Sequence, residues 1–265
     1  MVRETLVTTP LIRGAGVRKT YHTHTGDIES LKPLDFTIGE GEFVSVIGPS
    51  GCGKSTLMKM VAGLLPISGG ELELAGRPVR GPQTQVGIVF QNALLLPWRR
   101  VLDNILLQAE IRGQSLAQAR KRATALIEMA GLKGFENKYP WELSGGMQQR
   151  VAILRALLHD PPLLLMDEPF GALDAMTREK MNVELQRIWM TAGKTVMLIT
   201  HSIPEAIFLS DRVFVMSERP GRITATYDIV LPRPRPIEVM GSEAFARYAR
   251  QLRAHFYAQG SLDAH

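Results

Sequence analysis

This sequence of 265 residues has very little cysteine and no long apolar run. Its single cysteine, Cys52, excludes a disulfide within one chain and is typical of proteins that stay in a reducing compartment. No stretch approaches the roughly 18 consecutive apolar residues that a membrane-spanning helix needs. The N-terminal residues also lack an apolar run, so we expect neither a spanning segment nor a secretory signal.

The sequence also shows no internal repeat, no low-complexity tract and no strong excess of one charge. Lys and Arg number 31 against 26 Asp and Glu, which gives a net charge of +5. Hydrophobic residues make up 45% and charged residues 22%, values that are ordinary for a globular protein and argue against disorder. Because the basic residues are spread along the chain, this charge is weak evidence for binding to nucleic acid.

Apolar segments of strand length alternate with amphipathic helical segments over most of the chain. This alternation predicts an α/β fold with a largely parallel sheet, preceded by short β-rich segments at residues 11–21 and 30–38. We expect Ser115 and Gln118 to form a capping box at the start of one helix, and Gly193 to end another. The predicted buried strands are Phe43–Ile47, Val86–Phe90, Leu163–Met166 and Val196–Thr200.

The first buried strand leads into a glycine-rich loop that fits the pattern G-x-x-x-x-G-K-[ST] and precedes a helix. The glycines let the backbone wrap around an anion, and the helix N-terminus adds a partial positive charge. We expect Lys54 to reach the β and γ phosphates of a nucleotide and the Ser55 hydroxyl to ligate Mg²⁺. The residues of this phosphate-binding loop are Gly48, Pro49, Ser50, Gly51, Cys52, Gly53, Lys54, Ser55 and Thr56.

Polar residues follow each of the other three buried strands, where ligands bind in parallel α/β sheets. Asp167 and Glu168 come after one strand, and two such carboxylates are costly to bury unless they meet a cation or a polar network. We therefore predict that Asp167 holds Mg²⁺ and that Glu168 orients or deprotonates the attacking water. Gln91 and His201 follow the other two strands, and each taken alone is also compatible with an ordinary structural residue.

A second candidate for anion binding lies at Leu143–Met147, where Ser144 is placed as a helix N-cap before Gly145 and Gly146. Such a helix start presents free backbone N–H groups and the positive end of the helix dipole. A plain capped helix is the alternative interpretation.

Together these residues resemble those of the ATP-binding subunit of an ABC transporter, over roughly Leu11 to Met216 and in the same order. Tyr21 matches the aromatic residue that stacks on adenine in that family, although His22 or His24 are neighbouring alternatives. The other matches are Walker A (Gly48–Thr56), the Q-loop (Gln91), the signature motif (Leu143–Met147), Walker B (Leu163–Glu168), the D-loop (Gly171–Asp174) and the switch histidine (His201).

The resemblance implies a P-loop NTPase fold of the ABC type, with a mainly parallel core sheet, an N-terminal antiparallel β subdomain and a helical subdomain. It implies an ATPase domain over residues 1–241, with the helical subdomain inserted at about 92–160, and a C-terminal helix and tail over 242–265. It further implies that ATP and Mg²⁺ bind, with Mg²⁺ held by Ser55, Gln91 and Asp167, and that Glu168, His201 and Gln91 act in hydrolysis.

The same resemblance implies a head-to-tail dimer of two copies of the chain. Each ATP then lies between the Walker A loop of one copy and residues Ser144, Gly145 and Gly146 of the other. ATP binding closes such a dimer, and hydrolysis with phosphate release opens it. This arrangement would explain why one chain carries two separate phosphate-receiving helix starts.

Residues 89–98, 101–105 and 215–222 resemble a narrower group, the ATPases of bacterial nitrate, sulfonate and taurine importers. That likeness implies a peripheral subunit at the cytoplasmic face of the inner membrane, which powers import of a small solute through a separate integral membrane permease. It also implies a periplasmic or extracellular solute-binding protein as an indirect partner. We expect the Leu94–Trp98 region to contact the permease; the alternative is that Trp98 is simply buried in the helical subdomain.

The rival function is that of a soluble ABC ATPase acting on nucleic acid or ribosomes. Such proteins usually carry two ATPase domains, a coiled-coil insertion or a basic linker, which this sequence lacks, so we expect no nucleic-acid partner. An unrelated P-loop kinase or GTPase is disfavoured by the motif at Leu143–Met147. In the Pro- and Arg-rich segment near the C-terminus we expect Arg233 and Arg235 to be solvated, with contact to anionic lipid as the alternative.

Overall fold

The computed structural model describes residues 10–24 and 26–258, which form two sheets and seven α-helices. The strands are β1 (Pro10–Thr23), β2 (Gly26–Gly39), β3 (Phe43–Ile47), β4 (Gly69–Leu74), β5 (Arg77–Pro78), β6 (Val86–Val89), β7 (Leu163–Asp167), β8 (Thr195–Ile199), β9 (Arg212–Met216) and β10 (Ile223–Asp228). The helices are α1 (Lys54–Val61), α2 (Val101–Ile111), α3 (Leu116–Met129), α4 (Gly145–Leu157), α5 (Ala175–Ala192), α6 (Ile203–Leu209) and α7 (Glu243–Ala258), and short 3₁₀ turns lie at Pro140–Glu142 and Ile237–Gly241.

The core sheet has the strand order β10-β9-β3-β8-β7-β6. All its neighbouring strands are parallel except β10, which runs antiparallel to β9. This confirms the predicted α/β class and the mainly parallel sheet. The four predicted buried strands are present within one residue at either end, because an unbroken apolar run is what a strand covered on both faces requires.

The core sheet is buried on both faces, and alternation along each strand divides its side chains between two clusters. Phe43 and Ile47 belong to one apolar cluster, which also contains residues of α2 to α7. Val44 and Val46 point to the other face and pack with α1 and the second sheet. The core sheet is therefore a rigid layer, and its strand ends are fixed relative to each other.

The second sheet is antiparallel, with the strand order β2-β1-β4-β5. β1 and β2 have 14 residues each, so the predicted segments 11–21 and 30–38 were too short. The sequence signal fails where the hairpin projects from the core, because the residues of β2 from Gly26 to Glu29 are exposed and carry no apolar alternation. Bulges also shift the register between Gly14 and Thr20.

Helix ends agree with the sequence in some places and not in others. Gly193 has a positive φ of 62° and donates its N–H to the Trp189 carbonyl, as predicted for the end of α5. The predicted capping box at Ser115 and Gln118 is wrong, since the Ser115 side chain makes no cap hydrogen bond. Both residues are exposed, so water can satisfy the first turn of α3 instead.

Within the described residues, no helix combines the length and the apolar character that crossing a membrane requires.

The clearest departure from the sequence analysis concerns Arg235, which we expected to be solvated and which is 1% exposed. Its backbone N–H and C=O pair with the side chain of Gln186. Burial is the main cause that lowers the pKa of its guanidinium to about 10, so Arg235 stays charged at neutral pH. The guanidinium donates to the carbonyl oxygens of Ile207, Phe208, Ser210, Ile229 and Leu231.

Arg235 thus binds the C-terminal end of α6, where the helix dipole and the free carbonyl groups favour a cation. Its neighbour Arg233 is not solvated either. The Arg233 guanidinium lies 4.4 Å from the Trp189 ring centre and bonds Asp211 at 2.9 Å. The segment after β10 is therefore part of the folded core, because each arginine finds backbone or side-chain partners that a sequence pattern does not reveal.

We predict that Arg235→Met lowers the free energy of unfolding by about 2–4 kcal/mol, because it leaves several buried carbonyl groups without a donor. Urea denaturation followed by circular dichroism measures this change. Arg250→Met is the matched control, since Arg250 is exposed on α7, and it should shift the free energy by less than about 0.5 kcal/mol. Equal effects of the two substitutions would contradict the assigned role of Arg235.

Candidate functional site

A cavity of about 330 Å³ lies at the carboxyl end of the core sheet, over the glycine-rich loop that follows β3. The predicted loop residues Ser50, Gly51, Gly53, Lys54, Ser55 and Thr56 line it, together with Tyr21, Ser30, Glu168 and Arg219. The structure thus brings the phosphate-binding loop, the candidate adenine-stacking tyrosine and the candidate base into one cavity. Ser30 and Arg219 are additional lining residues that the sequence analysis did not assign.

The loop is held against β2 and against the turn that follows β9. Gly53 has φ 107°, and a Cβ atom there would lie 2.6 Å from Leu31 Cδ2. The N–H of Gly221 donates to the Ser30 carbonyl at 3.0 Å, and Gly221 accepts from the Lys32 N–H at 2.9 Å. Position 53 requires glycine both for its positive φ and for its close approach to Leu31. The two hydrogen bonds of Gly221 fix the turn that carries Arg219 beside the cavity.

Lys54, the first residue of α1, is only 6% exposed although it is charged. Its Nζ donates to the carbonyl oxygens of Gly48 at 2.9 Å and Pro49 at 2.8 Å. The ammonium group therefore points back over the loop rather than into solvent. Its Nζ also lies 3.9 Å from Cys52 Sγ. A buried cation whose hydrogen bonds go to carbonyl groups and a thiol, with no carboxylate among them, is an attractive partner for an anion such as a phosphate.

Ser55 and Asp167 come together from two elements, as the sequence analysis predicted. Ser55 Oγ donates to Asp167 Oδ1 at 3.1 Å. Burial is the main cause that raises the pKa of the Asp167 carboxyl; the Ser55 hydrogen bond acts against it, and the negative charge of Glu168 raises it further. A hydroxyl and a carboxylate are oxygen ligands of the kind Mg²⁺ takes, and a cation here would offset the charge of the two adjacent carboxylates. The residues present therefore fit the implied metal.

Glu168 and His201 lie side by side at the same edge of the sheet. His201 Nδ1 is 3.3 Å from Glu168 Oε2. Glu168 has φ 47°, a conformation that is uncommon for residues other than glycine, and its N–H donates to the Ile199 carbonyl at 2.8 Å. Strained backbone of this kind often marks functional positions because surrounding contacts must hold it in place. Here it turns the chain directly after Asp167, while the Glu168 side chain lines the cavity.

Gln91 does not line the cavity over the phosphate-binding loop. Its side-chain amide lies beside Gly171 instead, so close that a Cβ atom added to Gly171 would be 2.9 Å from Gln91 Nε2. Its backbone carbonyl accepts from Gln149 Nε2 at 2.6 Å, and the same amide group also donates to the Pro169 carbonyl. Gln149, a buried residue of α4, therefore links the Q-loop to the segment after Glu168. The sequence signal for it was a polar residue on the buried face of a helix.

The candidate signature residues lie at another place on the surface. Ser144 caps α4, since its Oγ accepts from the Met147 N–H at 3.4 Å, and Ser144 and Gly145 are exposed. Ser144 and Gly146 line a separate cavity of about 630 Å³ between the start of α4 and α5. One copy of the chain thus presents two distinct helix starts, one at the phosphate-binding loop and one at Ser144, that do not share a cavity.

The Leu94–Trp98 region is also at the surface. Leu94 is 58% exposed and Trp98 is 70% exposed, so the alternative that Trp98 is buried in the helical segment is wrong. The backbone around them is fixed, because Arg155 donates to the carbonyl groups of Ala93 and Leu94 and the buried Asn104 binds Leu96. The two large apolar side chains are therefore presented on an ordered segment.

Comparison with known proteins gives the family. Residues 31–171 match the ABC transporter family. Taurine import ATP-binding protein TauB of Rhizobium johnstonii is 45% identical to this chain, over 89% of the chain and 92% of that protein. TauB of Escherichia coli K12 is 46% identical, over 75% of this chain and 78% of that protein. An ABC transporter ATP-binding protein of Methanocaldococcus jannaschii is 47% identical, over 82% of this chain and 81% of that protein.

Solved structures agree with this assignment. The dimeric ABC transporter cassette MJ0796 superposes with a TM-score of 0.71 at 35% identity, covering 83% of this chain and all of that one. A second structure of that cassette is a post-hydrolysis dimer bound to ADP and Pi. The protein cbiO1 of Clostridium perfringens, part of the complex cbiONQ, superposes with a TM-score of 0.75 at 25% identity, over 96% of this chain and 99% of that one.

The phosphate-binding loop, the acidic strand end and this similarity define one class of protein, the ATP-binding cassette ATPases. This chain belongs to the ABC transporter family, as an ATP-binding subunit of the importer group.

Proposed function

We propose that this ABC ATPase powers the import of a small sulfonate such as taurine, or of a related solute such as nitrate, through a separate membrane permease. The observation that carries the proposal is the convergence of Lys54, Asp167, Glu168 and His201 at one sheet edge, beside a cavity lined by the phosphate-binding loop. The solute class is supported by the relatives that are named taurine import ATP-binding proteins.

In this proposal the loop from Gly48 to Thr56 binds the phosphates of ATP, and Tyr21 stacks on adenine. Tyr21 lines the cavity, and its hydroxyl lies 3.4 Å from Thr56 Oγ1, at the start of α1. Ser55, Asp167 and Gln91 would hold Mg²⁺. The bound metal ion would supply positive charge to the phosphate oxygens.

Glu168 accepts the proton of the attacking water, and His201 fixes the carboxylate through the 3.3 Å contact between their side chains. The chain just after His201 is fixed, because the next residue, Ser202, caps α6 by accepting the Glu205 N–H at 3.3 Å. The side chains that act on ATP thus project from the ends of strands that are hydrogen-bonded neighbours in the core sheet.

The proposed working unit is a head-to-tail dimer. Ser144, Gly145 and Gly146 of one copy then receive the phosphates of the ATP held by the loop of the other. Ser144 is exposed and lines a cavity separate from the phosphate-binding cavity, and both observations support this proposal. The cassette MJ0796, which has been solved as a dimer, supports a dimeric working unit.

We further propose that the exposed Leu94 and Trp98 contact the integral membrane permease and that the subunit works at the cytoplasmic face of the inner membrane. Two large apolar side chains on an ordered exposed segment are typical of a protein interface. A solute-binding protein outside the membrane would select the solute, and this chain would meet it only through the permease.

We predict that Glu168→Gln binds ATP normally and hydrolyses it about 10²- to 10⁴-fold more slowly, because the amide cannot accept the proton of water. Phosphate release at saturating MgATP measures the rate, and a fluorescent ATP analogue measures binding. Glu128→Gln is the matched control, since Glu128 is exposed on α3 far along the chain from the loop. Near-normal turnover in Glu168→Gln would sink the assignment of the base.

We predict that deleting the gene in its own host reduces uptake of radiolabelled taurine, alkanesulfonate or nitrate. Wild-type protein supplied from a plasmid should restore that uptake, and Glu168→Gln should not. Unchanged uptake of all three solutes would contradict the proposed solute class. Co-purification of the protein with RNA or DNA instead of a membrane protein would favour the rival function on nucleic acid.

A further inference from the structure

Two buried polar atoms beside the candidate site have no hydrogen-bond partner among the residues that the structure describes. They are Glu205 Oε1 and Arg178 Nε, an acceptor and a donor of opposite charge. Both residues line the same small cavity, which also touches Glu168 and His201. Buried polar groups are nearly always paired, so an unmatched donor and acceptor facing one cavity require an explanation.

The two side chains come from the helices that follow β7 and β8, the strands that end at Asp167 and just before His201. Glu205 lies in the first turn of α6, four residues after His201, and is 3% exposed. Arg178 lies in the first turns of α5, after the D-loop, and its Nη2 donates to the carbonyl oxygen of Leu173 at 2.9 Å. The position of Arg178 is therefore tied to the conformation of the D-loop. The position of Glu205 is tied to the conformation of the turn that holds His201.

The present arrangement is electrostatically unfavourable for Glu205. Burial is the main cause that raises the pKa of its carboxyl, while a hydrogen bond from Thr200 and the positive charges of Arg178 and His201 act in the opposite direction. A buried carboxylate with one unpaired oxygen is costly, and a bond from the guanidinium of Arg178 would remove that cost. The two groups border the same cavity, so movement of the start of α5 toward α6 would bring them together.

We propose that Arg178 and Glu205 form an ion pair when ATP is bound between two copies, and that this ion pair holds His201 against Glu168. The inference rests on the proposed roles of Glu168 and His201. Both residues of the pair are positioning residues, since they act on the reaction through the D-loop and the switch histidine. The D-loop and the histidine would then reach their hydrolytic positions together rather than independently.

A double-mutant cycle tests the pair with Glu205→Gln, Arg178→Gln and the double variant, measured as full-length protein with MgATP. We expect each single variant to lower kcat about tenfold and to leave KM for ATP within about twofold. The double variant should be no slower than Arg178→Gln alone, because residues that act as one unit give non-additive effects. Additive losses, about 100-fold in the double variant, would overturn the proposal, as would an unchanged kcat.

Thermal unfolding of every variant distinguishes a positioning role from a merely structural one. A structural role would lower the unfolding temperature without lowering kcat selectively at an unchanged KM. If Glu205→Gln does not fold, the cycle is run with Glu205→Asp, which keeps the charge but shortens its reach, with the same expected result. Glu128→Gln, on an exposed ion pair with Lys133, is the matched control and should keep wild-type kcat.

The outcome is separable from that of the proposed function. Normal turnover of Glu168→Gln would refute the assignment of the base, whatever the cycle gives. Loss of turnover in Glu168→Gln together with additive effects in the cycle would refute only the ion pair.

Discussion

The structure depends on the parallel pairing of β3, β8 and β7, which sets the carboxyl ends of three strands at one level. Val46 pairs with Ile199, and Ile199 in turn pairs with Asp167. The residues just beyond each strand are therefore the start of the phosphate-binding loop, the Asp167–Glu168 pair and His201. A slip of one residue in either pairing would turn each apolar side chain to the other face of the sheet, so the two buried clusters fix the register.

That fixed edge explains how charged groups can lie close together at the border of an apolar core. Lys54 is bound by loop carbonyl groups, Asp167 by Ser55, and Glu168 by His201, so each charge already has a polar neighbour. These contacts place the groups before ligand arrives, which reduces the cost of ordering them during the reaction. Ser144 does not line the cavity at this edge, since its helix start faces a different cavity.

Sequence reasoning correctly predicted which polar residues lie at the strand ends, because their positions depend on local order: an apolar strand, a polar end, and glycines before a helix. It predicted the α/β class for the same reason. It failed for Arg235, since burial of an arginine depends on carbonyl groups from α6 and the segment after β10, which only the fold brings together. It did not predict that Gln149 bonds the carbonyl of Gln91 or that Arg178 and Glu205 border one cavity, because the residues of each pair are far apart in sequence.

The central claim is that one copy of the chain carries only part of an ATP site and that Ser144 of a second copy completes it. Sedimentation of Glu168→Gln with MgATP tests this most directly, in the presence and absence of a second substitution, Ser144→Arg. The account predicts ATP-dependent dimers for Glu168→Gln, monomers that still bind ATP when Ser144→Arg is added, and dimers when the exposed Ser115→Arg is added as a control. Dimers that persist with Ser144→Arg, or loss of ATP binding by that variant, would contradict it.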